Sequence, residues 1–447
     1  MEEKMNVQMG AQTNRKIEGQ TAGTGGPEGQ AQYPAAQILH EALNIGEQML
    51  ICGGEVSRVE DTISRICRAY GMKKVDVFSI TSCIIVTIQT EEGELVTQTR
   101  RVGGYETNLN RLAELNGLSR EICAKRTRPE EVGEKIQQIL AERTFPLWWE
   151  FVSYCLVSGM FTLFFGGSLS DGVASMIAGA LLCLAVQWNR KKITNRLLFV
   201  LCEAVFTGFM VVAVVRLGVG QHVTPIVIGN IMLTIPGLSL TNSLRDMLSG
   251  DTMSGILRLC ESLLMAVAIA GGIALVLYWF SPPETAEAAA NAFGLWYYSE
   301  TGQTVIQVVT SFFGSLGFAM LFHVGSGHVW LGALGGMIVW GIYLLTGLFT
   351  ESVFWGYVIA SFAGTCYGEW MARRKKTPAT LFLVPAIITM IPGGSLYETM
   401  YCMVNGDYMG FFSNGASTVS MALAISVGIL LASSLIRRIT RVPIGGS

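Results

Sequence analysis

Apolar positions follow two regimes along this chain. Up to about residue 145 they recur at short helical or alternating spacings, and from 147 to 436 they run almost without interruption. In the first regime, residues 35–52 have helical periodicity, then Gly53-Gly54, then EVSRVEDTISRICRAYG. In that segment Val56, Val59, Ile63 and Ile66 share one helical face, and Asp61 and Arg65, four apart, can pair on another. VDVFSI, CIIVTIQT and ELVTQTRRV alternate and are separated by turn residues, so they predict three strands. Helices are expected at about 105–116 and 129–143. Residues 35–146 thus predict a small α+β domain. Residues 1–34, rich in Gly, Gln, Thr and Glu, predict a disordered tail without a leading apolar run that would mark a cleavable signal.

The second regime divides into ten apolar windows, at 148–167, 171–189, 196–217, 223–241, 254–280, 303–324, 328–347, 351–371, 378–400 and 410–436. Each is long enough to cross about 30 Å of hydrocarbon at roughly 1.5 Å per residue. The two sets of five are copies. Ile235-Pro236-Gly237 recurs as Ile391-Pro392-Gly393, an offset of 156 residues. In the same register Ser239 meets Ser395, Met247 meets Met403, Gly250-Asp251 meets Gly406-Asp407, and Gly208 meets Gly364.

A tandem repeat of five spans must lie in the membrane with opposite orientations, and the charges agree. Arg190, Lys191 and Lys192 follow the second span, whereas the equivalent loop from Gly347 to Ser352 has no Lys or Arg. One loop later the bias reverses, with Arg216 alone against Arg373-Arg374-Lys375-Lys376. The expected fold class is an α-helical polytopic membrane protein. Its ten transmembrane helices form two inverted five-helix repeats (147–281 and 303–438), preceded by the cytoplasmic α+β domain. Residues 282–302 are the extracytoplasmic loop, and the tail 439–447 is cytoplasmic like the N-terminus.

Composition narrows the function. Of 447 residues 51% are hydrophobic and only 14% charged, against about 25% charged in a typical soluble protein. A net charge of −2 argues against nucleic acid as a partner. The ten cysteines have no metal-ligand spacing, and Cys155, Cys183, Cys202 and Cys260 read as small buried side chains. No metal or other cofactor is implied. There is no GxxxxGK[ST] loop for an ATP-driven pump, and no GxSxG or HExxH for a hydrolase. Trp148, Trp149, Trp279, Trp296 and Trp355 read as interfacial anchors.

Candidate chemistry centres on the breaks. Pro236 and Pro392 displace the carbonyls four residues back, those of Met232 and Ile388. Either proline alone is commonly a packed kink. Paired interruptions at matching positions of inverted repeats instead point to a transporter's binding site. Ser239 and Ser395 are expected to cap the restarted helices, whose free N–H groups attract a carboxylate. Asn230, Thr234 and Thr389, with the freed carbonyls, offer acceptors to an ammonium group, so a small zwitterion fits. Glu203, about 10 Å beyond Arg196 along the same helix, is the candidate for carrying a coupling proton or meeting the ammonium. His323 and His328 beside Gly325-Ser326-Gly327, and Glu369 and Glu398 near span ends, are weaker candidates. Gly332/Gly336 and Gly364/Gly368 read as helix-packing faces.

GGEVSRVEDT at 53–62, AYG at 69–71, IPGLSLTNSLRDMLSGDTMSG from Ile235 and IPGGSLYETM from Ile391 occur in this order. Together they resemble the threonine/serine exporter family over roughly 36–436. In relatives the two halves can be separate proteins, proposed to form a dicarboxylate (succinate) exporter; here they look fused. The resemblance implies ion-gradient-driven export of a small metabolite across a bacterial cytoplasmic membrane. It carries over Gly53, Gly54, Glu55, Arg58, Glu60 and Asp61 from the first motif. From the membrane motifs it carries over Pro236, Gly237, Asn242, Asp246, Gly250, Asp251, Pro392 and Gly393. The family often has proline where Ser239 stands, which weakens the capping argument. The expected function is therefore proton-coupled export of threonine or serine, with succinate as the rival. A membrane-anchored enzyme and a passive channel are more distant alternatives. Arg245 is the nearest arginine to the first break, with Arg258 further on, and that scarcity of cations leans toward a zwitterion. Expected partners are the metabolite, protons, membrane lipid and a second copy of the chain.

Overall fold

A computed structural model describes residues 33–104, 106–141, 145–189, 195–280 and 299–440. The expected tail 1–32, the cation run 190–192, nearly all of the loop 282–302 and the final residues 441–447 lie outside the described residues.

The N-terminal part follows its periodicity. Helices α1 (Ala35–Ile51) and α2 (Val56–Ala69) precede strands β1 (Lys74–Ile80), β2 (Cys83–Gln89) and β3 (Leu95–Arg101), and α3 (Leu109–Lys125) and α4 (Pro129–Ala141) follow. The strands form an antiparallel meander in the order β1-β2-β3, with Val77 opposite Val86 and Val86 opposite Gln98. The central strand buries Ile84, Val86 and Ile88, which alternate as a half-covered sheet requires. Val56, Val59, Ile63 and Ile66 are buried on α2 as their spacing predicts. Helix α3 runs on past Asn116-Gly117, where the sequence suggested a stop, because Leu118 and Ile122 continue its buried stripe. It starts at Asn108, whose side chain accepts the Arg111 N–H at 3.0 Å.

The membrane part comprises α5 (Leu147–Phe164), α6 (Leu169–Asn189), α7 (Arg196–Arg216), α8 (Val223–Ile231), α9 (Gly237–Ser249) and α10 (Thr252–Phe280). Then come α11 (Glu300–Leu321), α12 (Val329–Gly347), α13 (Val353–Lys375), α14 (Thr380–Ile387) with a 3₁₀ turn Ile388–Met390, α15 (Gly393–Val404) and α16 (Tyr408–Thr440). Among the described residues seven helices are long and apolar enough to cross a membrane, and eight if the pair α14–α15, bent by 49°, is one span. The chain is thus a polytopic helical membrane protein.

Two of the ten windows differ from expectation. At 223–241 the window splits into two short helices around Pro236. Helix α13 is long enough at 23 residues but rich in Gly, Ser, Thr and Tyr, and it buries Ser361, Gly364, Thr365 and Gly368 against neighbouring helices. Its outer face still presents Val353, Trp355 and Ile359.

Packing repeats between the halves. Helix α5 packs on α6 as α11 packs on α12, and α7 on α10 as α13 on α16. Across the halves α10 meets α15 while α9 meets α16, and α5 meets α11. The small-residue faces serve this packing: a side chain on Gly332 would meet Pro385, and one on Gly364 would meet Val339.

The N-terminal part is not merely tethered. Leu109 and Asn110 donate backbone N–H groups to the carbonyls of Phe322 and His323 at the end of α11, at 2.9 and 3.1 Å. One buried core runs from Leu39, Leu43 and Leu112 to Leu316, Ala319, Leu381 and Phe382 of the membrane helices. Cys52 and Cys67 sit in this core, and burial pushes both thiols up to about 12. By contrast Cys202 and Cys260 are exposed on α7 and α10, correcting the expectation that they are buried.

Candidate functional site

The interrupted helices are built alike in both copies. Pro236 (φ −80°, ψ 37°) and Pro392 (φ −76°, ψ 54°) each stand just before a restarted helix. Each offers its carbonyl to the residue four ahead, Leu240 at 2.9 Å and Leu396 at 3.0 Å. At the far ends Gly250 and Gly406 both take positive φ, and Asp251 and Asp407 both return an N–H to the carbonyl five residues back at 2.9 Å.

The serines do not cap as expected. Neither restarted helix has a side-chain cap; Ser395 Oγ turns back to the Pro392 carbonyl at 3.3 Å. With a proline in the capping position, the serine three residues on lies inside the first turn and has no free N–H within reach. The Ile388 carbonyl does not stay free either, since the 3₁₀ turn returns the Ile391 N–H to it at 3.2 Å.

The two breaks touch. A methyl on Gly237 would lie 2.5 Å from Ile391 Cγ2 and 3.6 Å from the Gly393 Cα. A methyl on Gly393 would lie 3.0 Å from Ile235 Cγ2. Ile235 and Ile391 are themselves repeat equivalents, so each glycine seats the isoleucine of the other copy. Gly393 also seats Met232, whose Sδ would lie 2.9 Å from such a methyl.

Beside this crossing lies a cavity of about 210 Å³, lined by Thr234, Pro236, Gly237 and Ser239 of the first break and by Ile388 and Ile391 of the second. Arg196 and Thr107 also line it. A larger space of about 330 Å³ continues toward the N-terminal part, where Ser239, Arg196, Arg258 and Glu261 meet Leu50 and Ser82. The first turn of α9 therefore faces a cavity with its intrinsically unpaired N–H groups, beside a guanidinium.

Arg196 was legible only as a cation at a membrane end. The arginine that sequence placed near the break, Arg245, instead reaches Glu55 of the first motif at 3.4 Å. Next to it, buried Asp246 faces buried Arg258 at 3.5 Å. Asp251 stands just before α10, its carbonyl accepting the Gly255 N–H. Glu203 lines neither cavity. It follows Arg196 and Val200 at helical spacing, on the face of α7 that supplies both to the cavity.

The other expected residues have varied surroundings, and the buried Asn230 Oδ1 has no hydrogen-bond partner among the described residues. Asn230 is fully buried and donates to Ser175 Oγ at 2.8 Å and the Ile226 carbonyl at 2.9 Å, joining α8 to α6. Asn242 is half-buried on α9, outside both cavities. Thr389 is buried between the two cavity-lining isoleucines, and its Oγ1 has no hydrogen-bond partner among the described residues. In the N-terminal motif, Gly53 takes φ +89°, and a methyl on Gly54 would lie 2.6 Å from the Met49 carbonyl oxygen. Glu60 accepts from Ser79 N and Oγ at 2.8 and 3.0 Å, tying α2 to β1. Asp61 pairs with Arg65 at 2.8 Å. Arg58 faces a different cleft, against the end of α13. His323 lies 3.7 Å from Glu150, and His328 packs edge-on to Phe382.

A family model described as "Putative threonine/serine exporter" matches residues 40–279, and a second, "Threonine/Serine exporter, ThrE", matches 307–435. The chain belongs to the threonine/serine exporter family. The first model covers the N-terminal part together with the first membrane copy, and the second covers the other copy. A "Threonine/serine exporter" of Corynebacterium glutamicum is 26% identical over 435 residues, covering 91% of this chain and 84% of that one. A "Probable threonine/serine exporter" of Mycobacterium tuberculosis is 22% identical over 88% of this chain and 75% of its own length. The "Probable succinate transporter subunit YjjP" of Escherichia coli is 24% identical, covering 54% of this chain and 93% of its own. No solved structure matches. Family and apolar helices together make this a multi-pass transporter of the bacterial plasma membrane.

Proposed function

We propose that the chain is a secondary exporter of threonine or serine, coupled to the proton gradient. In this reading ten spans form two inverted five-helix repeats, with both termini cytoplasmic. The observation that carries it is the reciprocal seating of Gly237 and Gly393 beside a cavity lined by both breaks and Arg196. A substrate carboxylate lies at the first turn of α9 and Arg196, where N–H groups and a cation favour it. The ammonium faces the carbonyl side of the breaks, with Glu261 in the adjoining space. Arg258 already faces Asp246, and the space also holds Arg196 and Glu261, so its mixed sign suits a zwitterion. Alternating access follows if the copies rock about the crossing at Gly237 and Gly393.

The relatives carrying a succinate name, and Arg196 itself, favour a second reading in which the substrate is a dicarboxylate. Reconstituted liposomes under an imposed pH gradient separate the two. Labelled threonine accumulating against its gradient, with succinate static, is the expected result; the reverse pattern overturns the amino-acid reading. Glu203→Gln is expected to keep threonine counterflow while losing acceleration by the pH gradient. A variant still fully driven by pH removes Glu203 from the coupling step.

A further inference from the structure

A cavity larger than the one at the breaks lies elsewhere among the described residues. About 860 Å³ opens where α2 and α3 of the N-terminal part meet the end of α13. Its cations come from three separate elements: Arg58 and Arg65 from α2, Arg120 from α3, and Arg373 with Lys376 from the end of α13. Only two carboxylates, Asp61 and Glu369, line it, leaving a formal +3 from five cations against two anions. Asp61 is already committed to Arg65 at 2.8 Å. Arg58, Arg120, Arg373 and Lys376 have no ion-pair partner among the described residues.

A basic helix end beside a membrane is ordinarily explained by topology and by the helix dipole. Neither accounts for Arg58 and Arg120, which come from outside the membrane part and converge on the same space. Like charges gathered in a concave site repel, and they focus a positive potential that an anion relieves. The cleft is also polar in uncharged groups. Asn116, Ser119 and Thr377 line it, and the buried Thr377 Oγ1 has no hydrogen-bond partner among the described residues. One turn before Arg373 stands Trp370. That exposed ring carries the Arg374 guanidinium at 4.8 Å, and exposed Trp is enriched at membrane interfaces.

We infer that this cleft binds a phosphate-bearing anion at the membrane surface, through Arg58, Arg120, Arg373 and Lys376. Guanidinium groups pair with phosphate oxygens two at a time, which sets this site apart from the mixed-sign space near Arg196. The phosphate belongs either to an anionic lipid headgroup or to a soluble phosphoester. The site bridges the N-terminal part to the membrane part, so its occupancy holds the two together. It does not depend on what the transporter carries.

The test uses the full-length protein in neutral detergent and follows thermal unfolding with cardiolipin, with phosphatidylcholine, or with inorganic pyrophosphate. Stabilisation by cardiolipin over phosphatidylcholine is the expected result for a lipid source, and stabilisation by pyrophosphate for a soluble one. Either should weaken steeply with salt. The R58Q/R120Q/R373Q/K376Q variant is expected to lose the shift, while R68Q/K73Q/R101Q/R128Q, which removes as much charge elsewhere, keeps it. No shift of the wild-type protein with either anion, or equal loss in both variants, overturns the inference. The wild-type comparison holds even if the first variant fails to fold.

Discussion

At the scale of single residues, the proposed function rests on two glycines whose value is the absence of a side chain. Gly237 is not at positive φ, so its backbone has no need of glycine. As the first residue of α9, alanine there gains at most about 1 kcal/mol of helix propensity. Against that stands Ile391 Cγ2, 2.5 Å from where the methyl would sit, and overpacking of this kind costs about 1–3 kcal/mol. The clash wins. Gly237→Ala is expected to lower thermal stability in detergent and to cut transport more than binding, because in the proposed mechanism the contact it jams is the one about which the copies move. Adding Ile391→Ala, which removes the offending methyl, should recover part of both. A Gly237→Ala protein with unchanged stability and turnover would mean that the crossing has slack.

Among elements, the link that matters runs from the N-terminal motif to the broken helix. Glu55, immediately before α2, meets Arg245 on α9 at 3.4 Å, both largely covered. A pair midway between exposed and buried is worth roughly 1 kcal/mol of coupling. A double-mutant cycle of Glu55→Gln and Arg245→Gln should return about that, with either single change altering transport rate as well as stability. Additive effects would reduce the pair to coincidence. The sequence made the elements visible because period 3.6, period 2 and unbroken apolarity are local signals. Pro236 and Pro392 marked the breaks for the same reason: a missing N–H acts within four residues. What was not visible depends on tertiary placement. The capping serines failed because proline took the cap position, Arg245 turned to Glu55, and Arg196 joined the cavity because α7 packs alongside the first break. Asn230 read as a ligand acceptor; the sequence could not show that its amide nitrogen donates to Ser175, 55 residues away, while its Oδ1 has no hydrogen-bond partner among the described residues.

On the scale of the whole molecule, the question is whether the N-terminal part is a passenger. Its alternating strands and amphipathic helices suggest a small domain that folds by itself and sits beside the membrane. The packing argues otherwise, since Leu112 and Leu115 share a buried core with Leu316, Met320, Leu381 and Phe382. Burying side chains of this size contributes about 1.5–3 kcal/mol each. Stripping away residues 1–140 therefore strands several such side chains at the membrane end, along with the carbonyls of Phe322 and His323 that now accept from Leu109 and Asn110. The loss also removes Glu55 from Arg245. A net stability of about 5–15 kcal/mol cannot absorb all of this comfortably. Residues 141–447 expressed alone are expected to be polydisperse on size exclusion and to unfold well below the full chain, and supplying the N-terminal segment in trans should restore monodispersity. The split succinate relatives fit such a requirement only if the cut between their chains falls elsewhere than at this joint. The first family model, spanning 40–279, keeps the N-terminal part and the first membrane copy together, as that requires. A truncated protein as stable as the whole would make the shared core incidental and return the N-terminal part to the status of an appended module.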